Sequence, residues 1–308
     1  MSAAPVVPAR DDLVCGPFSG QAEEVACPLC QPAPPPVLVF RKANGVGIWR
    51  CPGCDILYAS PRFTEASLLA IYESPAFFAA GYVERLAGWS YETWPRREPQ
   101  EYHIARLKVN LVRQHLGPGA RILDVGCHIG LFCREAQEQG LAAEGLEPSR
   151  MLADLAGRTT GVTVHNQLLE DFAPATPYQG LVVWDVLEHV YDPLRLLAHC
   201  HRLTGPDGYL FLQVPSHRGL ADRYKTLLCR LGLKRCDFKH FGFPWHVYSF
   251  SPASLRRLLA RAGYQAILVE SWSHHMKEGR TGPLARLAAA FVRRRCWTDY
   301  IVAVGQRG

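Results

Sequence analysis

The chain has 308 residues, a net charge of +6 at neutral pH and 48% hydrophobic residues, enough for one large domain with a sizeable core plus a small module. It contains no run of about 18 apolar residues, so no helix is expected to span a membrane, and so modest a charge admits an anionic ligand without demanding nucleic acid. The 11 cysteines, in a chain that opens without a basic region and apolar core, point to reduced thiols, a metal site and a cytoplasmic protein, not a disulfide framework.

Residues 1–22, with Pro5 and Pro8 near the start, read as a disordered tail. A zinc ribbon is expected over residues 23–60. Cys27-Pro-Leu-Cys30 and Cys51-Pro-Gly-Cys54 are two knuckles with 20 residues between them, the spacing of a structural zinc site. Each Cys-x-x-Cys turn aims two sulfurs at one point, and two turns complete a tetrahedron. Val37 to Phe40 and Gly47 to Arg50 read as hairpin strands around Asn44-Gly45. Four thiolates leave zinc no open position, so this site staples a fold and does not activate water. Residues 61–118 read as a helical linker. Thr64 caps a helix through Leu68, Leu69 and Ile71, and Glu101 to Leu116 carries a helical period.

Ile122 to Gly130 (Ile-Leu-Asp-Val-Gly-Cys-His-Ile-Gly) is an apolar strand, a carboxylate and a loop bounded by Gly126 and Gly130, followed at once by a helical pattern. Strand, glycine loop and helix in this order open a nucleotide-binding βαβ unit. A second strand, Ala142 to Leu146, ends in Glu147, an acid placed to accept from a ribose diol. Val162 to His165 forms a third strand. Gly180 to Val190 (Gly-Leu-Val-Val-Trp-Asp-Val-Leu-Glu-His-Val) is a fourth with its loop, and Leu210 to Val214 follows Pro206-Asp207-Gly208-Tyr209 as a fifth. Gln265 to Glu270 and Tyr300 to Val304 close the sheet.

This set resembles the class I S-adenosylmethionine-dependent methyltransferases, in particular a broad bacterial group with an Asp-x-Leu-Glu-His-Val segment after the fourth strand. The resemblance covers about residues 100 to 272. It implies an α/β fold: a Rossmann-like seven-stranded sheet over residues 119–308, helices on both faces and the last strand antiparallel. Two positions depart from the family. His128 replaces the middle glycine of its loop, and Gln179 stands where an aspartate often precedes the fourth strand. By resemblance, Asp124, Gly126, Cys127 and Gly130 surround the methionine part of S-adenosylmethionine, and Glu147 holds both ribose hydroxyls. Asp171 meets the adenine amine, with Glu170 as a rival, and Asp185 and Leu187 lie beside the donor. In such enzymes the segment before the first strand covers the cofactor, so about residues 75–100 are expected to form a lid.

His189 and His246 are the candidate catalytic bases, since imidazole titrates near neutral pH and both fall in loops expected at the carboxyl edge of the sheet. The insertion from Ser216 to His240 is rich in Arg and Lys and either holds an anionic small-molecule acceptor or forms a solvated face. Pro283 to Arg295 reads as a basic amphipathic helix that packs on the sheet or touches a membrane surface. A small-molecule methyltransferase is the leading reading, with a sugar nucleotide, polysaccharide precursor or secondary metabolite as acceptor. The alternatives are a ribbon-targeted protein or RNA methyltransferase and a non-catalytic cofactor-binding protein. RNA fits poorly, because only Arg41, Lys42 and Arg50 are cationic between Cys27 and Cys54.

Overall fold

The computed structural model describes residues 10–15, 18–42, 44–73, 94–231, 233, 244–272 and 291–308. The chain begins with a hairpin of β1 (Arg10–Cys15) and β2 (Phe18–Glu23). This corrects the tail expected through residue 22. Leu13 and Cys15 on one strand, and Phe18 and Ala22 on the other, face a cluster with Phe40, Ile48 and Phe63. That period-two pattern suffices for a strand pair once another surface covers it.

The ribbon strands β3 (Val37–Arg41) and β4 (Gly47–Arg50) pair as the sequence predicts, and β5 (Leu57–Ser60) joins β4. The chain then passes through β6 (Arg62–Phe63), which adds to β2, into helix α1 (Glu65–Glu73). Thr64 Oγ1 accepts from the Ser67 amide at 3.3 Å, as an N-cap should. Helix α2 (Trp94–Arg113) leads to the main domain. Most of the lid expected at about 75–100 lies outside the described residues.

The strands β7 (Arg121–Val125), β8 (Ala142–Leu146), β9 (Val164–His165), β10 (Tyr178–Trp184) and β11 (Thr204–Pro215) are parallel. Between them run α3 (Leu131–Glu138), α4 (Arg150–Thr160) and α5 (Pro193–Leu203), and after β11 comes α6 (Leu220–Arg230). A short β12 (Tyr248–Ser249), α7 (Pro252–Arg261), β13 (Tyr264–Trp272) and β14 (Tyr300–Arg307) complete the described chain. The seven-stranded order is β13-β14-β11-β10-β7-β8-β9, with β14 antiparallel to both neighbours. The expected seven-stranded Rossmann-like sheet is therefore present.

Strand residues alternate between two apolar layers. Leu123, Leu181, Val183, Leu210 and Leu212 pack with Leu197 of α5 and Leu255 and Leu258 of α7. Ile122, Val182 and Phe211 pack with Val109 and Val112 of α2 and Phe132 of α3. Strands covered on both faces become continuous apolar runs, which is why β10 reads Gly-Leu-Val-Val-Trp. Strand order reverses between β7 and β10, and the carboxyl ends there open the crevice where ligands bind in such sheets.

The ribbon is joined to this domain. β12 pairs antiparallel with β5, extending the ribbon sheet to four strands. Arg257 and Arg261, one turn apart on α7, donate to the knuckle carbonyls of Gly53 and Leu29 at 3.2 and 2.8 Å. The sequence showed the two Cys-x-x-Cys knuckles but not this shared sheet.

Candidate functional site

The loop after β7 is fixed by its neighbours in the sheet. The amides of Gly126 and Cys127 both donate to the Leu146 carbonyl at the end of β8, at 2.8 and 3.2 Å. Gly126 and Gly130 both have φ of +76°, and a Cβ there would fall 2.7 Å from Val186 Cγ2 and 2.8 Å from Val162 Cγ2. Both glycines are thus required by conformation and by space. His128 also adopts a left-handed φ of +53°, so the loop keeps the turn of a glycine although a histidine occupies it. Histidine tolerates that region better than most side chains.

Glu147 is the centre of this arrangement. Its Oε2 accepts from the His128 amide and its Oε1 from the Ser149 amide, both at 3.0 Å. Burial raises its pKa, and those two amides pull it back down. The carboxylate is aimed by backbone donors, while each oxygen retains a lone pair for a diol. Asp124, 3% exposed at the end of β7, is pushed up to about 7 by burial, against the pull of Lys108 and a Cys133 thiol. The Cys127 sulfur occupies the space that a side chain at Gly145 would need, so Cys127 offers a ligand its backbone and not its thiol. Asp171 is exposed in the turn after β9, where its amide donates to Leu168. Glu170 sits 3.9 Å from Arg195.

The loop after β10 carries the other candidates. Asp185 has a φ of +57°, and its two oxygens accept from Gln213 Nε2 at 2.9 and 2.7 Å. Lys108 Nζ lies 3.3 Å from the same carboxylate and 5.3 Å from the centre of the Trp184 ring. Leu187 is fully buried in the core, which leaves its backbone as its only polar offering. His189 and His246 come together as an edge-to-face pair with ring centroids 4.8 Å apart. His189 Nδ1 is 3.0 Å from the Trp245 carbonyl, so it carries the proton and donates. Burial lowers both imidazoles, His246 to about 3.

Lys108 and Gln213 were not singled out in the sequence. Gln213 gave a signal, a lone polar residue in the apolar run of β11. Lys108 gave none, because it meets Asp185 from a helix 77 residues earlier.

In the ribbon, Cys27, Cys30, Cys51 and Cys54 bring all four sulfurs within 4.8 Å of one another. The Cys27–Cys54 and Cys30–Cys51 separations are 3.5 and 3.6 Å, close to the edge of about 3.8 Å that a tetrahedron with zinc–sulfur bonds of about 2.3 Å requires. The four cysteines therefore fit zinc. The Cys54 thiol is drawn down to about 6, chiefly by its hydrogen bond with Cys27. Between this module and α6 lies a cleft of about 680 Å³ lined in part by Arg50, Asp55, His217, Arg218 and Arg223. Arg218 is 3.6 Å from Asp55. Lys234, Arg235 and Lys239 of the insertion, like most of the basic helix expected at Pro283 to Arg295, fall outside the described residues.

A family described as a methyltransferase domain matches residues 96–269. A ubiquinone biosynthesis O-methyltransferase of Xanthomonas axonopodis pv. citri is 29% identical over 220 residues, 65% of this chain and 89% of that protein. Its counterpart in Pseudomonas aeruginosa is 29% identical over 140 residues, 42% of this chain. The chain spans only 60% of the length of that relative. A SAM-dependent methyltransferase structure from Archaeoglobus fulgidus superimposes with a TM-score of 0.50 at 14% identity, covering 71% of this chain and 100% of that one. That likeness concerns the fold alone. Among the described residues no helix is long and apolar enough to cross a membrane.

Proposed function

The chain belongs to the methyltransferase-domain family, and we propose that it is an S-adenosylmethionine-dependent enzyme that methylates a small anionic acceptor in the cytoplasm. The observation that carries the donor assignment is Glu147, whose two oxygens are aimed by the His128 and Ser149 amides beside the glycine loop. S-adenosylmethionine supplies an electrophilic methyl group on a sulfonium and leaves as a neutral thioether. Asp124, Gly126, the Cys127 backbone and Gly130 hold its methionine part, Asp171 reaches its adenine, and Asp185 and the Leu187 backbone line the reacting end. Lys108 and Gln213 keep Asp185 in one orientation, which preserves the alignment that an in-line transfer needs.

On the acceptor side, His189 and His246 orient the acceptor or take its proton. Of the two, His189 is the better base. Its Nδ1–H is committed to Trp245, so Nε2 presents a lone pair. Burial lowers its pKa, and the Trp245 hydrogen bond and Asp185 oppose that, whereas at His246 burial and His189 together outweigh Asp185 and hold it down to about 3. The anionic character of the acceptor is supported by Arg50, Arg218 and Arg223 in the cleft under α6. A sugar nucleotide or a polysaccharide precursor has that chemistry. The zinc module has a structural role, because its four thiolates leave no open position.

Incubation with methyl-labelled cofactor and separated small-molecule, protein and RNA fractions of a cell extract tests the reading. Label should enter the small-molecule fraction. Label confined to protein or RNA would favour a ribbon-targeted enzyme, and none in any fraction would favour a binding protein. His189→Gln should then lower turnover by about 10²–10⁴-fold with donor affinity intact. Wild-type turnover would place the base elsewhere.

A further inference from the structure

Beyond the zinc module, one cluster combines metal-ligand chemistry with unmet hydrogen bonding. Glu188, His189 and His246 each offer a ligand atom, and the three atoms lie within 4.8 Å of one another. Glu188 is 1% exposed, and its buried Oε2 has no hydrogen-bond partner among the described residues. A carboxyl oxygen in that position is costly unless a proton or a cation meets it. His189 is already arranged as metal-bound histidines usually are, with Nδ1–H donated to a backbone carbonyl and Nε2 left as the ligand.

The two segments that carry these residues are fastened to each other. The Glu188 carbonyl accepts from the amides of Val247 and Tyr248 at 2.8 and 3.3 Å. Convergence of the three side chains is therefore built into the backbone and does not depend on flexible rotamers. Asp185, three residues before Glu188, contributes negative charge, although its own oxygens are taken by Gln213 and Lys108. Two imidazoles and one carboxylate form a ligand set used for zinc and ferrous iron, with positions left open for an exogenous oxygen.

We propose that Glu188, His189 and His246 bind one divalent first-row transition-metal cation that coordinates an oxygen of the methyl acceptor. The inference rests on the acceptor-side placement of the two histidines and, with the cation bound, replaces the proton-accepting role argued above for His189 by orientation of the acceptor, since a ligated imidazole nitrogen cannot also accept a proton.

Cobalt(II) is a suitable probe, because ligand fields of nitrogen and oxygen differ from those of four thiolates. The full chain, with zinc already in the ribbon, is titrated with Co²⁺ and followed by visible absorption. Weak d–d bands should saturate at one equivalent without thiolate-to-cobalt charge transfer. Glu188→Gln and His246→Ala should each weaken Co²⁺ binding by about tenfold or more, with zinc content retained. No cobalt bands in the wild type, or bands that survive both substitutions unchanged, would overturn the proposal. The cobalt result is read beside calorimetry of S-adenosylmethionine binding. Donor binding without cobalt binding removes the cation alone, whereas absent donor binding removes the methyl-transfer reading and leaves the cobalt result to decide the metal site.

Discussion

Replacing Glu147 with alanine separates two functions that its carboxylate combines. In the folded chain its oxygens accept from the His128 and Ser149 amides at 3.0 Å each. Removing both acceptors leaves two partly buried N–H groups to water, at about 1 kcal/mol each, so unfolding stability should fall by about 2 kcal/mol. The donor loses a charged partner for its ribose diol. A charged hydrogen bond contributes about 1.5–3 kcal/mol, so affinity should fall by roughly ten- to 150-fold. Glu147→Gln retains one acceptor oxygen and should lie between wild type and alanine in both measurements. Calorimetry with S-adenosylmethionine and its demethylated product reads the affinity, and urea denaturation reads the stability. Nicotinamide dinucleotides should give no heat. If Glu147→Ala loses stability while donor affinity stays within about twofold, the carboxylate only braces the loop and the ribose assignment fails.

Three further outcomes follow from the geometry. Cys51→Ser should release the ribbon zinc, read as a fall from about one equivalent to none in metal analysis, and metal-free wild type that stays fully folded would refute the structural role. Gly126→Ala should destabilise the fold by more than Gly119→Ala. Both positions have φ of +76°, but only at 126 would the new methyl meet another atom, Val186 Cγ2 at 2.7 Å; equal costs, each about 1–2 kcal/mol from the left-handed backbone alone, would show that Val186 yields freely. For Asp124, burial raises the folded pKa to about 7, above an unfolded value of about 3.9. Its favourable contribution is therefore complete below the unfolded value and lost as pH rises through about 7. Asp124→Asn should gain stability relative to wild type between pH 4.5 and 8 in urea unfolding, and a difference that ignores pH would contradict the burial argument.

Local pattern made much of this molecule readable. The two knuckles, the β3–β4 hairpin and the run from Ile122 through Gly130 into a helix declared themselves through spacing and period. The start of α7 did so through Ser251 and Pro252, and the structure adds a reciprocal Ser251–Ser254 capping box. What escaped was non-local. β12 is two residues long, too short for an alternating pattern, and exists because β5 offers an edge. The β1–β2 hairpin depends on Phe40, Ile48 and Phe63, which lie beyond it in sequence. The Lys108–Asp185 pair joins a helix to a loop that no motif connects. Resemblance placed Leu187 beside the donor, but it could not show that the side chain turns into the core.

The short strand β12, by which the chain after the fifth parallel strand joins the ribbon sheet, also limits how this protein can be divided. The Ala59 amide donates to the Val247 carbonyl at 3.1 Å, next to His246. The Arg62 guanidinium lies over the Tyr191 ring at 3.9 Å and donates to the Tyr248 hydroxyl at 2.9 Å. A fragment cut at residue 119 would keep every residue assigned to the donor but lose Lys108, which steadies Asp185. It would also lose the edge on which the histidine-bearing segment is strung. Donor binding could outlast such a cut while the acceptor side loosened. Grafting this catalytic domain elsewhere, or exchanging its N-terminal module for a relative's, therefore requires the receiving chain to supply the β5 edge.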